Sequence, residues 1–214
     1  MRKINSHKTI QILIISALLL ISFYAFSFLV KEDIFTKFDF DTTVRIQNNV
    51  PLKYDPYLSL LSLAGSFEIT LGILVLISIF IVHKIKSTLI IGVFGLAHVV
   101  EIVGKAFLDH PGTPFLFHRY SLDIVFPTSY VQPGFSYPSG HAMRAIFLVV
   151  VIINLIIKSK RIRHEYKIIA LSLLSVFTIA MLFSRVSLGE HWTSDVIGGS
   201  ILGAAFGILS LLFI

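Results

Sequence analysis

Two short stretches of this chain carry side chains that could do chemistry: Tyr137-Pro138-Ser139-Gly140-His141 and Ser184-Arg185-Val186-Ser187-Leu188-Gly189-Glu190-His191-Trp192-Thr193-Ser194-Asp195. They place two histidines, an arginine and a carboxylate at the same end of two apolar runs. Phosphoryl transfer calls for such a set: cationic donors for the phosphate, one imidazole to attack phosphorus, and another to protonate the leaving oxygen. His191 and Asp195 are four residues apart. On a helical turn that spacing lets the carboxylate hold one ring nitrogen and leaves the other free as a nucleophile. Arg185 offers a planar fork for phosphate oxygens. Pro138 suits a helix entry, Ser139 can cap it, and Gly140 lets a ligand approach the backbone, so this helix start reads as an anion pocket. The plain alternative is an interfacial polar network of Arg185, Glu190, His191 and Asp195. Perturbable histidines beside cations at membrane depth favour function over that alternative.

The elements that position these residues follow from composition. Hydrophobic residues make up 55% of the chain and charged residues 14%, and apolar runs of near-membrane length recur. Spans are expected at 10–30, 67–83, 88–108, 140–157, 168–186 and 195–214, each close to the ~20 residues that cross a hydrocarbon core. The runs lack the alternation of barrel strands, so the expected fold is all-α, six transmembrane helices in one bundle. A single domain over 1–214 suffices, with the chemistry-bearing region at 105–195. The first run exceeds the roughly 7–15 apolar residues of a signal peptide and reads as a retained helix. Cysteine is absent, which removes disulfides and thiolate metal sites.

Lysine and arginine give the orientation. Arg2, Lys3 and Lys8 precede the first span, Lys84 and Lys86 follow the second, and Lys158, Lys160, Arg161, Arg163 and Lys167 lie between the fourth and fifth. The positive-inside rule makes these segments, and both termini, cytoplasmic. The connections 31–66, 109–139 and 187–194 then face outward, and the motifs with them. The net charge of +6 is a topology signal. Its basic residues are not gathered on one soluble face, so a nucleic-acid partner is not expected. Between Ile34 and Tyr57, apolar residues mixed with charges fit either a helix lying on the outer surface or an ordered loop. Gly199, Gly203 and Gly207 recur every four residues in the last span and allow another helix to pack closely.

The motif residues resemble the type 2 phosphatidic acid phosphatase (PAP2) family, which includes membrane lipid phosphatases and is related to vanadium haloperoxidases. The family's second signature is matched by Pro138, Ser139, Gly140 and His141. Its third is matched by Ser184, Arg185, His191 and Asp195 at the family's spacing. The six-span layout with outward catalytic loops is similar too. The resemblance implies that His191 attacks phosphorus to form a phosphohistidine and that Asp195 holds and polarises its ring. It implies that His141 protonates the leaving oxygen and then activates water, and that Lys105, Ser139, Gly140 and Arg185 bind the phosphate. This chemistry asks for no metal and no cofactor.

The first family signature, a lysine followed after six residues by arginine and proline, is altered. Lys105 fits, but Gly112 and Thr113 stand where arginine and proline are expected. Arg119, Arg144 and His110 are candidate replacement donors, with Arg119 slightly favoured because an outer loop can fold over a head group while Arg144 has Glu101 as a potential partner. Glu101 either positions Lys105 or neutralises a buried cation such as Arg144, and His98 reads as a bundle histidine. Tyr130, Phe135, Tyr137 and Trp192 read as interface anchors. The expectation is therefore a membrane enzyme that hydrolyses a lipid phosphate or diphosphate at the extracytoplasmic face of a cell membrane. The alternatives are a lipid phosphotransferase with the same site and a non-catalytic membrane transporter or binder of phosphate-bearing ligands.

Overall fold

The computed structural model describes residues 6–82, 88–122 and 135–214. Arg2, Lys3, Lys84, Lys86 and Tyr130, used above for orientation and anchoring, lie outside the described residues. Regular structure within them is helical: α1 (Ser6–Lys31), α2 (Thr36–Asn49), α3 (Asp55–Ser62), α4 (Phe67–Leu76), α5 (Thr88–Phe107), α6 (Gly140–Lys158), α7 (His164–Ser187) and α8 (Thr193–Ser210).

Five of these helices, α1, α5, α6, α7 and α8 with its terminal turn, are long and apolar enough to cross a membrane. A bent pair, Leu52–Gly65 and Phe67–Phe80, with a 51° angle between its halves, is long and apolar enough to make a sixth span when taken as one. The chain is thus an all-α multi-pass membrane protein. The expected second span, 67–83, takes in the second half of this pair, and the expected connection 31–66 holds the first. Part of that connection is apolar helix. Its Ser59 and Ser62 turn into the protein, and polar residues facing inward hide a span from a reading based on average hydropathy.

The core lies where α6 and α8 pack against each other and against α1 and α5. Phe94, Met143, Phe147, Leu202 and Phe206 meet there, with the Phe94 and Phe147 rings edge to face at 5.2 Å between centroids. The contact is close because α8 presents glycines. A Cβ at Gly203 would collide with the Met143 backbone, and one at Gly207 would press on Phe147, in keeping with small residues letting membrane helices approach. Outward-facing Leu18, Ile21 and Tyr24 of α1 and Leu173, Val176 and Ile179 of α7 are exposed, as lipid-facing residues are.

Of the two readings for the segment after the first span, the structure shows the helix. α2 buries Asp39 and Thr43 and exposes Phe38 and Phe40. Gln47 Nε2 donates to the Phe117 carbonyl at 2.7 Å and to the Ser187 carbonyl at 3.0 Å, fastening α2 across the motif end of the bundle. Two of the expected interface anchors are internal instead. Tyr137 is fully buried with its hydroxyl 2.9 Å from Ser27 Oγ of α1. Trp192 is buried with Nε1 donating to the Pro111 carbonyl at 2.8 Å. Each ring gives its polar tip a protein partner, which holds it inside.

Candidate active site

The site is assembled from helix ends. Lys105 lies near the C-terminus of α5, Arg185 near that of α7, and Ser139 and Gly140 open α6. His191 and Trp192 form the turn into α8, and Asp195 stands in its first helical turn. The basic residues Lys158, Lys160, Arg161 and Arg163 sit at the opposite ends of α6 and α7.

Asp195 is fully buried and organises the centre. Its Oδ2 accepts from His191 Nδ1 at 3.2 Å and from the Trp192 backbone N–H at 3.0 Å. The second bond caps α8 and fixes the carboxylate relative to the preceding turn. The Asp195 backbone carbonyl accepts from the Ser139 N–H at 3.0 Å, tying the two motif stretches together. Ser139 Oγ in turn accepts from Ala142 N at 3.4 Å as the N-cap of α6. Burial pushes His191 below the ordinary histidine range, with the nearby Arg185 and Lys105 charges acting in the same direction, and the hydrogen bond and charge of Asp195 offset this only in part. The ring is therefore neutral at neutral pH. With Nδ1–H given to Asp195, its Nε2 carries a free lone pair.

His141 is half-buried and lies within electrostatic reach of His191, Arg185, Arg144 and Lys105. Arg185 is buried, with one terminal nitrogen on the Glu190 carboxylate and on Ser62 Oγ. Its Nε, also buried, has no hydrogen-bond partner among the described residues, a donor that a ligand oxygen would satisfy. Lys105 Nζ pairs with Glu101 Oε1 at 3.1 Å. Arg144 Nη1 lies 3.5 Å from the other oxygen of the same carboxylate, so Glu101 serves both cations. At the bend before α4 the Gly65 carbonyl accepts from Arg144 Nε at 2.8 Å. Gly140 meets this group differently from the sequence expectation: a Cβ there would run into the Glu101 carboxylate and the Arg144 guanidinium. The missing side chain makes room for that ion pair, while the helix-start N–H groups remain the donors of the first turn.

The three candidate replacement donors separate. Arg144 belongs to the cluster. Arg119 does not, since its guanidinium is forked onto Asp55 at 3.0 and 2.9 Å and onto the Gln47 and Val50 carbonyls at 3.2 and 2.9 Å. A guanidinium with all three nitrogens donating to acceptors at the end of α2 and the start of α3 is a latch and does not swing over a head group. His110 is near the centre but bound to its carboxylate, with Nδ1 2.9 Å from Asp195 Oδ1. In the altered signature, Thr113 Oγ1 bonds the Gly189 carbonyl, and Gly189 takes a positive φ of 67° beside the Phe117 backbone. Gly112 is exposed, and a Cβ there would meet nothing within 4 Å among the described residues.

His98 is a bundle histidine, with Nδ1 2.8 Å from the Phe94 carbonyl and its ring against Phe94 and Phe67. The sequence reading missed Ser62 and Asp39. Ser62 touches Arg185, and Asp39 accepts from Ser194 N at 2.8 Å and Ser194 Oγ at 2.5 Å. Neither lies in a motif, and each meets its partner more than a hundred residues away in sequence, so no local signal marks it.

Comparison with known proteins agrees with this geometry. Residues 67–214 match the PAP2 superfamily. Phosphatidylglycerophosphatase B of Bacillus subtilis is 29% identical over 143 residues, which take in 65% of this chain and 64% of that protein, a little under two thirds of its length. The crystal structure of a transmembrane PAP2-type phosphatidylglycerolphosphate phosphatase from Bacillus subtilis superposes with a TM-score of 0.75 at 21% identity, covering 92% of this chain and 94% of the other. Aquifex aeolicus LpxE does so with a TM-score of 0.59 at 23% identity, covering 82% and 95%. These two likenesses establish the fold. With the family match extending over both motif stretches and most of the chain, this protein belongs to the PAP2 superfamily.

Proposed function

We propose that this chain hydrolyses a lipid phosphate monoester or diphosphate at the outer face of a cell membrane, through a phosphohistidine on His191. The observation that carries the reading is the buried Asp195 on His191 Nδ1, with a second histidine, His141, and the cations Arg185 and Lys105 in the same cluster. A pocket that only held phosphate would need the cations and have no use for an oriented, neutral imidazole.

In the proposed reaction His191 Nε2 bonds to phosphorus as the bond to the lipid oxygen breaks. The leaving oxygen takes its proton from protonated His141, which is left neutral, and the positive charge that develops on the His191 ring is balanced by Asp195. Water then attacks the phosphorus, giving a proton to His141 while the phosphorus–nitrogen bond breaks, and neutral His191 is restored. Arg185 Nε, Lys105 and the first-turn N–H groups of α6 bind the phosphate oxygens and the charge that grows on them. Arg144 supplies the cation that the altered signature lacks, from α6 instead of the loop. The basic ends of α6 and α7, opposite the site, support an outward-facing centre.

The experiment is phosphate release by the purified full chain from a panel of phosphatidylglycerol phosphate, phosphatidate and undecaprenyl diphosphate. The first is included because the Bacillus subtilis relative is named for its phosphatase activity. Release from at least one, lost in His191→Ala, is the expected result. Binding of all three without release would overturn hydrolysis in favour of a binding protein.

A further inference from the structure

Asp195 holds two imidazoles, and the reaction above uses one. His110, from the segment after α5, places Nδ1 2.9 Å from Asp195 Oδ1, while His191 takes Oδ2. Its other nitrogen, Nε2, points toward Asp39 of α2, 3.8 Å from Oδ2. Asp39 is itself fixed by the Ser194 N–H and hydroxyl at the start of α8. The four residues form one buried row, Asp39, His110, Asp195 and His191, contributed by α2, the α5 exit, α8 and the turn before α8.

We propose that His110 is the cation between Asp39 and Asp195, and that through Asp195 it sets the pH at which His191 is free to act as nucleophile. This rests on the reading of His191 as nucleophile and makes His110 a positioning residue. Two buried carboxylates face one ring from different sides, Asp195 within hydrogen-bond distance of Nδ1 and Asp39 at ion-pair distance from Nε2, and a ring charged between them offsets both. The remaining groups around His110 agree. Asp33, in the turn after α1, adds a third negative charge in reach, Ser136 Oγ lies 3.3 Å from Nδ1, and the uncharged Tyr137 ring stands edge-on at 6.3 Å. Burial alone would push His110 down, but the Asp195 hydrogen bond and the charges of Asp195, Asp39 and Asp33 outweigh it and hold the ring above the ordinary histidine range. His191 faces Asp195 on one side and Arg185, Lys105 and His141 on the other.

The consequence has a definite sign. With His110 charged, part of the Asp195 field is spent on it, and His191 is held less tightly in its protonated form. Removing that charge leaves Asp195 facing His191 alone, so His191 gains a proton at higher pH.

The test is ¹⁵N-imidazole NMR of the full chain in detergent, with signals assigned by single substitutions, alongside the pH profile of kcat/KM on dioctanoyl phosphatidate. In the unaltered protein His110 should carry hydrogen on both nitrogens at neutral pH. His110→Asn keeps a donor near the position of Nδ1 and cannot be charged. It should raise the His191 midpoint by on the order of one pH unit, and move the acid limb of kcat/KM upward with it. Lost packing alone would lower activity without moving either. A neutral His110, or an unmoved His191 midpoint in folded His110→Asn, overturns the proposal. If His110→Asn does not fold, Asp39→Asn must lower the His110 midpoint, and an unmoved midpoint there overturns it as well. The NMR arm needs no turnover, so failure of the phosphatase reading and failure of this one are told apart.

Discussion

Arg144 Nη2 stands 3.3 Å from Nδ1 of His141, one turn back along α6. A guanidinium has only donors, so Nδ1 accepts, and the proton of the neutral ring sits on Nε2. The arginine that stands in for the altered signature therefore also sits against the proposed acid, which takes up a proton before it can serve the leaving oxygen. Arg144→Gln should lower kcat/KM by about 100- to 1,000-fold, the scale of losing a donor to transition-state charge. Steady-state phosphate release at fixed protein level checks this, and the loss should be comparable with that of Arg185→Gln.

Arg119 should behave in the opposite way. Its fork onto Asp55 joins the loop after α5 to the start of α3, and both side chains are largely buried. Arg119→Gln leaves that carboxylate without its cation and should cost about 3 kcal/mol of stability, read as a lowered Tm in detergent. Turnover per folded molecule should stay within about tenfold of the unaltered protein, the residual loss coming from a loosened loop.

Gly112 tests the altered signature directly. It is exposed and open, so Gly112→Arg should fold without a clash. Competitive inhibition by inorganic phosphate should then tighten, because a further cation joins the outer rim of the site. An unchanged inhibition constant would mean that this loop follows a path on which residue 112 does not reach the phosphate.

How legible all this was in the sequence depended on the range of the interaction. Apolar runs and the four-residue spacing of His191 and Asp195 are local, and the helices and the 3.2 Å bond they imply are present. The first half of the bent pair at 52–80 was hidden because its inward serines lower the average hydropathy. Arg119 read as mobile because Asp55, 64 residues earlier, gives no sign of being its partner. His110 read as a phosphate donor for the same reason, its carboxylate lying 85 residues on. The position of a cation near a motif was legible, and its commitment to an acid brought in by tertiary packing was not.

Sidedness is open to labelling. Cysteines introduced singly at Asn48 and Ser121, both exposed at the motif end, should react with an impermeant maleimide added to intact cells. One at Ser159, in the basic turn between α6 and α7, should react only after the membrane is opened. The reverse pattern would put the site on the cytoplasmic side.

The central claim is that phosphate passes through His191. It is tested most directly by mixing the protein with an aryl phosphate, quenching in alkali, where phosphohistidine survives, and locating the phosphate by peptide mass spectrometry. The account predicts phosphate on His191, accumulating in His141→Ala because an aryl leaving group needs little protonation while the intermediate still waits for an activated water. It predicts neither phosphoenzyme nor turnover in His191→Ala. Phosphate on a different residue, or turnover surviving in folded His191→Ala, would contradict it.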